Sequence, residues 1–238
     1  MHKLLWKEWH EQSWNLAFGC VVLGAMALIG LHSRIVPDET MMMWVSFLGL
    51  TMLPVLSSTG LVPAERGEGS LESLLALPAG PVRILAAKTV MGAALCVAPL
   101  LAAAAVSLLV AGGREMPAGD MIWFYVRLTL TTLWLFMWML ALTIQLPSEA
   151  RAALVGVGLL VFWMLATIGL TDTPSVPRLA VAVSPLALVY GIDGIAKRTA
   201  EGRSPPLPMA PVLAVQCGIA LILWVWACRR LGKLEGQT

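Results

Sequence analysis

An all-α membrane fold with six transmembrane helices follows from three features of this 238-residue chain. Hydrophobic residues make up 58% and charged residues only 13%, against about 25% charged in a typical soluble domain. Mean hydropathy is positive. Several charge-free runs reach the roughly 20 residues that a bilayer crossing demands. The net charge of +2 is too small to point to nucleic acid, and no basic stretch interleaves with aromatic residues. A single polytopic membrane domain over residues 1–238, in contact with membrane lipid, accounts for this balance.

The chain opens with an amphipathic stretch, 1–14. Leu5, Trp6, Trp9 and Ser13 share one face at helical spacing, and Lys3, Lys7, His10 and Glu11 take the other, the pattern of an interfacial helix. A cleaved signal peptide is the competing reading, because Ala25-Met26-Ala27 resembles a cleavage site. Glu8 and Glu11 spoil its basic leader, however, and the apolar run continues to Leu31.

Six spans follow: Asn15–Leu31, Met41–Leu61, Thr89–Ala111, Met121–Leu146, Ala152–Leu170 and Met209–Cys228. The third is dense in small residues, including Gly92, Ala93, Ala94 and Ala98, which permit close helix packing. Gly156 and Gly158 offer the same in the fifth. The fourth carries Arg127 beside Trp123, Phe124 and Tyr125. Aromatic residues belong at headgroup level, so Arg127 snorkels to the nearby interface, or, in the sharper reading, lines a substrate path. Residues 172–208 form a long loop. It holds a shorter apolar run, Leu179–Ile192, too short to cross comfortably and suited to a re-entrant or interfacial helix.

Between the second and third spans lies the most informative stretch, Glu65–Lys88, reading ERGEGSLESLLALPAGPVRILAAK. Gly67 and Gly69 let the chain turn out of the membrane. Ser70 can cap a short helix, and Glu72 near its start is favoured by the helix dipole. Leu71, Leu74 and Leu75 then form one apolar stripe, and Pro78 stops the helix. Ala79-Gly80-Pro81 makes a turn, with Pro81 suited to the first position of the next helix. A short capped helix with an apolar stripe is built either to dock a soluble partner or to lie on the membrane surface.

The order Glu65-Arg66-Gly67, then Gly69-Ser70-Leu71-Glu72 with Leu74 and Leu75, then Pro78, Arg83 and Lys88, resembles the ABC transporter permeases of the type-2 exporter class. Ser70 stands where that family usually has threonine, keeping a capping hydroxyl. The likeness implies that 65–88 is a cytoplasmic coupling loop whose helix contacts a separate ATP-binding subunit. Glu65, Arg66, Gly67, Gly69, Ser70, Leu71, Glu72, Leu74, Leu75 and Pro78 would then be partner contacts or loop formers. It further implies that 1–14 is the family's elbow helix and that the permease works as a homodimer or with a second permease. ATP and magnesium would bind the partner, with no cofactor in this chain.

With an even number of spans, both termini share a side. Placing them in the cytoplasm of an inner (plasma) membrane puts nine basic residues inside, among them Lys3, Lys7, Arg66, Lys88 and Arg229, and seven outside. Several of the latter sit in the long loop, which counts less.

Absent chemistry narrows the function. There is no phosphate loop ending in Gly-Lys-Ser or Gly-Lys-Thr, so the chain is not expected to be an ATPase or another enzyme by itself. His2, His10 and His32 form no metal-ligating cluster, and the four cysteines stand singly, as small buried hydrophobes. Met41, Met42 and Met43 tempt a copper reading, but three consecutive helical residues cannot share a face. Two alternatives stay open: a haem- or copper-handling assembly factor, and a passive channel or scaffold.

Overall fold

The computed structural model describes residues 2–32, 38–67, 80–110, 118–172, 183–188 and 209–235, and among these the fold is all-α. The helices are α1 (His2–His32), α2 (Asp38–Thr59), α3 (Pro63–Gly67), α4 (Pro81–Val110), α5 (Ala118–Thr143), α6 (Glu149–Asp172) and α7 (Met209–Glu235), with a 3-10 turn at Pro185–Leu188 before α7. Six of them, all but α3, are long and apolar enough to cross a membrane. The protein is an integral, multi-pass membrane protein.

The expected separate helix over 1–14 is instead the first part of α1, which runs unbroken for 31 residues. Nothing between Gln12 and Leu16 breaks it: of the residues there able to cap a new helix, Ser13 donates back to the His10 carbonyl at 3.2 Å and Asn15 to the Gln12 side chain at 2.7 Å. At about 1.5 Å per residue α1 measures roughly 46 Å, against a hydrocarbon core of about 30 Å, so its N-terminal turns extend beyond that core. α4, at 30 residues, overshoots similarly. The coupling helix expected at Ser70–Leu77, and Leu179–Ile192 outside its Val183–Leu188 portion, lie outside the described residues.

α1 and α4 run parallel in a fixed register. Glu8 meets Lys88, and a Cβ at Gly19 would stand 3.0 Å from Pro99. α2 runs antiparallel between them: Gln12 reaches the carbonyl of Gly60, while Gly49 lies against Leu100 and Leu128 farther along. Two clusters form the core. Leu61, Ile84, Leu85, Phe136, Leu140, Ile144 and Leu231 fill the end from which the 65–88 loop emerges, hereafter the loop end. Leu23, Val45, Leu100, Met121, Leu128, Trp163 and Leu186 fill the opposite end.

Gly92 has the closest packing. A Cβ there would collide with the Phe136 ring and come within 2.7 Å of Leu61, so the small residue serves contact inside the chain. Gly156 faces Val55 of α2, whereas Gly158 looks into open space. The exterior is apolar in the manner lipid demands: Trp14, Phe18, Ile29, Leu109, Leu154, Leu165, Leu221 and Ile222 are all exposed. Of the cysteines, only Cys96 is fully buried, and Cys217 faces outward, its thiol tolerated by lipid as by a core.

Candidate functional site at the foot of the loop

The residues on which the loop stands form a buried ionic knot. Its centre is Lys88, in the second turn of α4 and only 1% exposed. Its ammonium donates to Glu8 Oε1 of α1 at 2.8 Å and to the carbonyl oxygen of Leu61 at 2.9 Å. It lies 2.7 Å from Glu65 Oε2 on α3. An ammonium has three hydrogens, and here three acceptors surround it. Glu65 Oε1 accepts from Lys7 at 3.1 Å, and Lys7 also pairs with Glu11 one turn on, at 3.4 Å.

The sequence folds this way because each charge sits where an apolar helix overshoots the hydrocarbon. Glu8 lies nearly two turns from the start of α1, and Lys88 lies just inside the apolar body of α4. Neither charge could be buried alone: taking one ion out of water costs several kcal/mol even after relaxation, roughly, so each requires its partner. The carboxylate oxygens of Glu8, Glu11 and Glu65 lie within 4.8 Å of one another, a grouping of the kind that holds a metal ion. The Lys88 ammonium already stands between Glu8 and Glu65 and supplies the positive charge there.

Both strands of the loop leave from this knot. On the entering side, Glu65 belongs to it directly, Arg66 reaches toward the carbonyl of Leu146 in the α5–α6 link at 3.4 Å, and Gly67 ends α3. On the returning side, Gly80 adopts φ of 65°, a conformation that favours glycine, and its carbonyl accepts from Arg83 and Ile84 to open α4 at Pro81. The helix start at Pro81 is as the sequence indicates, and Ala79 lies outside the described residues. The loop's base is therefore tied to α1, α4 and the α5–α6 link together.

Of the residues singled out by sequence, Glu65, Arg66 and Gly67 are brought to this base. Gly69, Ser70, Leu71, Glu72, Leu74, Leu75 and Pro78 lie outside the described residues. Arg127 sits half-buried on α5, between exposed Val126 and buried Leu128. Met42 packs against the core while Met43 is exposed, so these two neighbours do not share a face.

Sequence reasoning missed Glu8, Lys7 and the central role of Lys88. It set Glu8 aside as a flaw in a leader peptide and counted Lys88 as a loop charge and as part of the resemblance, without a buried partner. The signal was available: Lys and Glu embedded among Trp, Leu and Ala seldom become buried unless paired, and one of each was present. Trp6 and Trp9 are exposed on α1, as are His10 and Glu11 of the face expected to be polar.

No protein-family model matches the chain, and no curated protein matches its sequence.

Proposed function

We propose that this chain is the membrane-spanning permease subunit of an ATP-driven exporter, forming the translocation path and taking its energy from a separate ATP-binding subunit through the 65–88 loop. The observation that carries the reading is the anchoring of that loop. Its two strands leave a knot in which Lys88 joins Glu8, Glu65 and the Leu61 carbonyl. A push on the loop therefore acts on α1 and α4 together, rather than bending a free strand. A merely surface-lying loop needs no such footing. The apolar stripe Leu71, Leu74 and Leu75 supplies the docking face, and alternating exposure of the path would follow from rigid-body displacement of the helices joined at the knot.

Leu74→Asp tests this. A charge placed in the partner contact weakens it by several kcal/mol, on the order of a hundredfold or more in affinity. The protein should reach the membrane at normal levels, yet lose its co-purifying ATPase subunit and nucleotide-stimulated transport. Retention of both would leave the loop a surface helix and remove the exporter reading. In intact cells, single cysteines at Gly69 and Gly236 should be protected from an impermeant thiol reagent, and one at Glu201 should react. Labelling at Gly69 would invert the orientation and detach the loop from any cytoplasmic ATPase.

A further inference from the structure

A cleft of about 380 Å3 lies between α1 and α2 and reaches the start of α6. Its lining changes character along its length. Gln12, Asn15, Ser57 and Glu149 gather toward the loop end, while Phe18 and Met52 continue the cleft along the lipid-facing body of the bundle. The register explains the gradient. Gln12 lies opposite Gly60, so the polar turns of α1 and α2 coincide, and the residues one and two turns deeper on both helices are apolar.

Four observations say what the cleft takes. The lining carries one carboxylate, Glu149, and no cationic side chain, so an anionic group would meet uncompensated repulsion. Ser57 is only 3% exposed, and its oxygen accepts the Cys96 thiol hydrogen at 3.5 Å, which leaves its second lone pair for another donor. The Asn15 amide is held by Gln12, which fixes a polar pair at the mouth of the apolar channel. The volume stands at the low end of the roughly 300–1,000 Å3 typical of small-molecule sites, room for one alkyl chain rather than two.

We propose that this cleft binds a single-chain amphiphile with an ammonium head, the head against Glu149, Asn15 and Ser57 and the tail between Phe18 and Met52. Only the claim that the occupant is cargo rests on the exporter reading; the binding itself rests on the cleft. A molecule lying in the leaflet at the loop end could enter sideways with its head still at the surface, because the polar lining begins where α1 and α2 reach that surface. Glu149 acts here as an ionic contact and Ser57 as a hydrogen-bond acceptor for the ammonium, without any covalent step.

The test uses the full chain purified in an uncharged maltoside detergent. Native mass spectrometry would compare dodecylamine, dodecanol and dodecanoate, which share a chain length and differ in head charge. Dodecylamine adducts should exceed dodecanoate adducts by about tenfold, a difference of ~1.4 kcal/mol. Glu149→Gln should lower the amine to the level of the alcohol. Met52→Trp, which fills the apolar part, should abolish binding of amine and alcohol alike, and Leu109→Trp on the exposed face of α4 should change neither. Equal binding of dodecanoate and dodecylamine, or an amine adduct that survives Met52→Trp, overturns the proposal. Co-purification of the ATPase subunit, scored on the same preparations, keeps the two readings apart. Lost amphiphile binding with the partner retained sinks only the cleft, and the reverse sinks only the exporter.

Discussion

The two ends of this bundle satisfy buried polar groups in opposite ways. At the loop end they are ions, with Lys88 between Glu8 and Glu65. At the other end they are neutral. Ser107 and Tyr125 share a hydroxyl hydrogen bond of 2.7 Å, and Gln216 donates to the Ser184 carbonyl at 2.8 Å, drawing the 3-10 turn against α7. A neutral hydrogen bond contributes about 1 kcal/mol net, and a neutral partner left unsatisfied costs less than a charged one. An ion pair must first repay the desolvation of both charges, and an apolar replacement of the whole set is often as stable. If stability alone were selected, the loop end could be built like the far end. Its ions add what neutral pairs lack: a strong penalty for separating three elements that converge beneath the loop.

The largest expected effect comes from breaking the ionic end at its centre. Lys88→Met leaves Glu8 and Glu65 buried and facing each other, a loss of about 3–5 kcal/mol. For a chain of this size that corresponds to a fall in Tm of roughly 6–20 °C, read by thermal unfolding in detergent. Adding Glu8→Gln and Glu65→Gln to the same protein should restore most of the loss, since no uncompensated charge remains. A Lys88→Met protein within about 2 °C of wild type would mean the knot is solvated, and the contrast between the ends would vanish.

Packing separates the two ends next. Gly92→Ala, at the loop end, drives a methyl into Phe136 and Leu61 and should cost about 1–3 kcal/mol. Gly24→Ala, toward the far end, meets only Val106 at 3.9 Å and should leave Tm nearly unchanged. Equal effects of the two would show that the loop end relaxes as freely as the other.

At the neutral end, Tyr125→Phe removes one hydroxyl from the pair with Ser107 and leaves no charge behind. A loss of about 1 kcal/mol is expected from the same unfolding measurement. A loss as large as that of Lys88→Met would place the far end, not the knot, at the centre of the fold's stability.

What was legible in the sequence follows the same division. The spans could be read because bilayer thickness imposes a length that charge-free runs display directly, and the start of α4 could be read because Gly80-Pro81 carries its own conformational demand. The knot could not be placed that way. Glu8 and Lys88 are 80 positions apart, and whether a lone charge is buried depends on a partner that no local pattern names. The unbroken α1 was missed for a related reason. Its amphipathic beginning matches a surface helix, but the bundle extends far enough to pack beside it, and Lys88 reaches across to hold it there. Of the candidate contact residues, those near the knot acquire a setting, whereas the stripe at Leu71, Leu74 and Leu75 rests on helical spacing and on resemblance.

The smallest predicted effect sharpens the comparison within the knot itself. Glu11 pairs with Lys7 at 3.4 Å, but its side chain is 46% exposed and Lys7's is 37% exposed. Water screens such a pair, and holding two long side chains in one geometry costs entropy, so exposed pairs are worth about 0–1 kcal/mol. The order is also the less favourable one, with lysine N-terminal to glutamate one turn apart, against the helix dipole. Lys7 keeps its contact with Glu65 in any case. Glu11→Gln should therefore shift the unfolding midpoint by no more than about 2 °C, while Glu8→Gln, one turn earlier on the same helix, should shift it several times further. The pair isolates burial from charge, because both substitutions remove one carboxylate from the same cluster. If Glu11→Gln proved as damaging as Glu8→Gln, the cluster would owe its strength to total charge rather than to the enclosed Lys88 contacts, and the loop would be anchored by a diffuse field instead of by defined bonds.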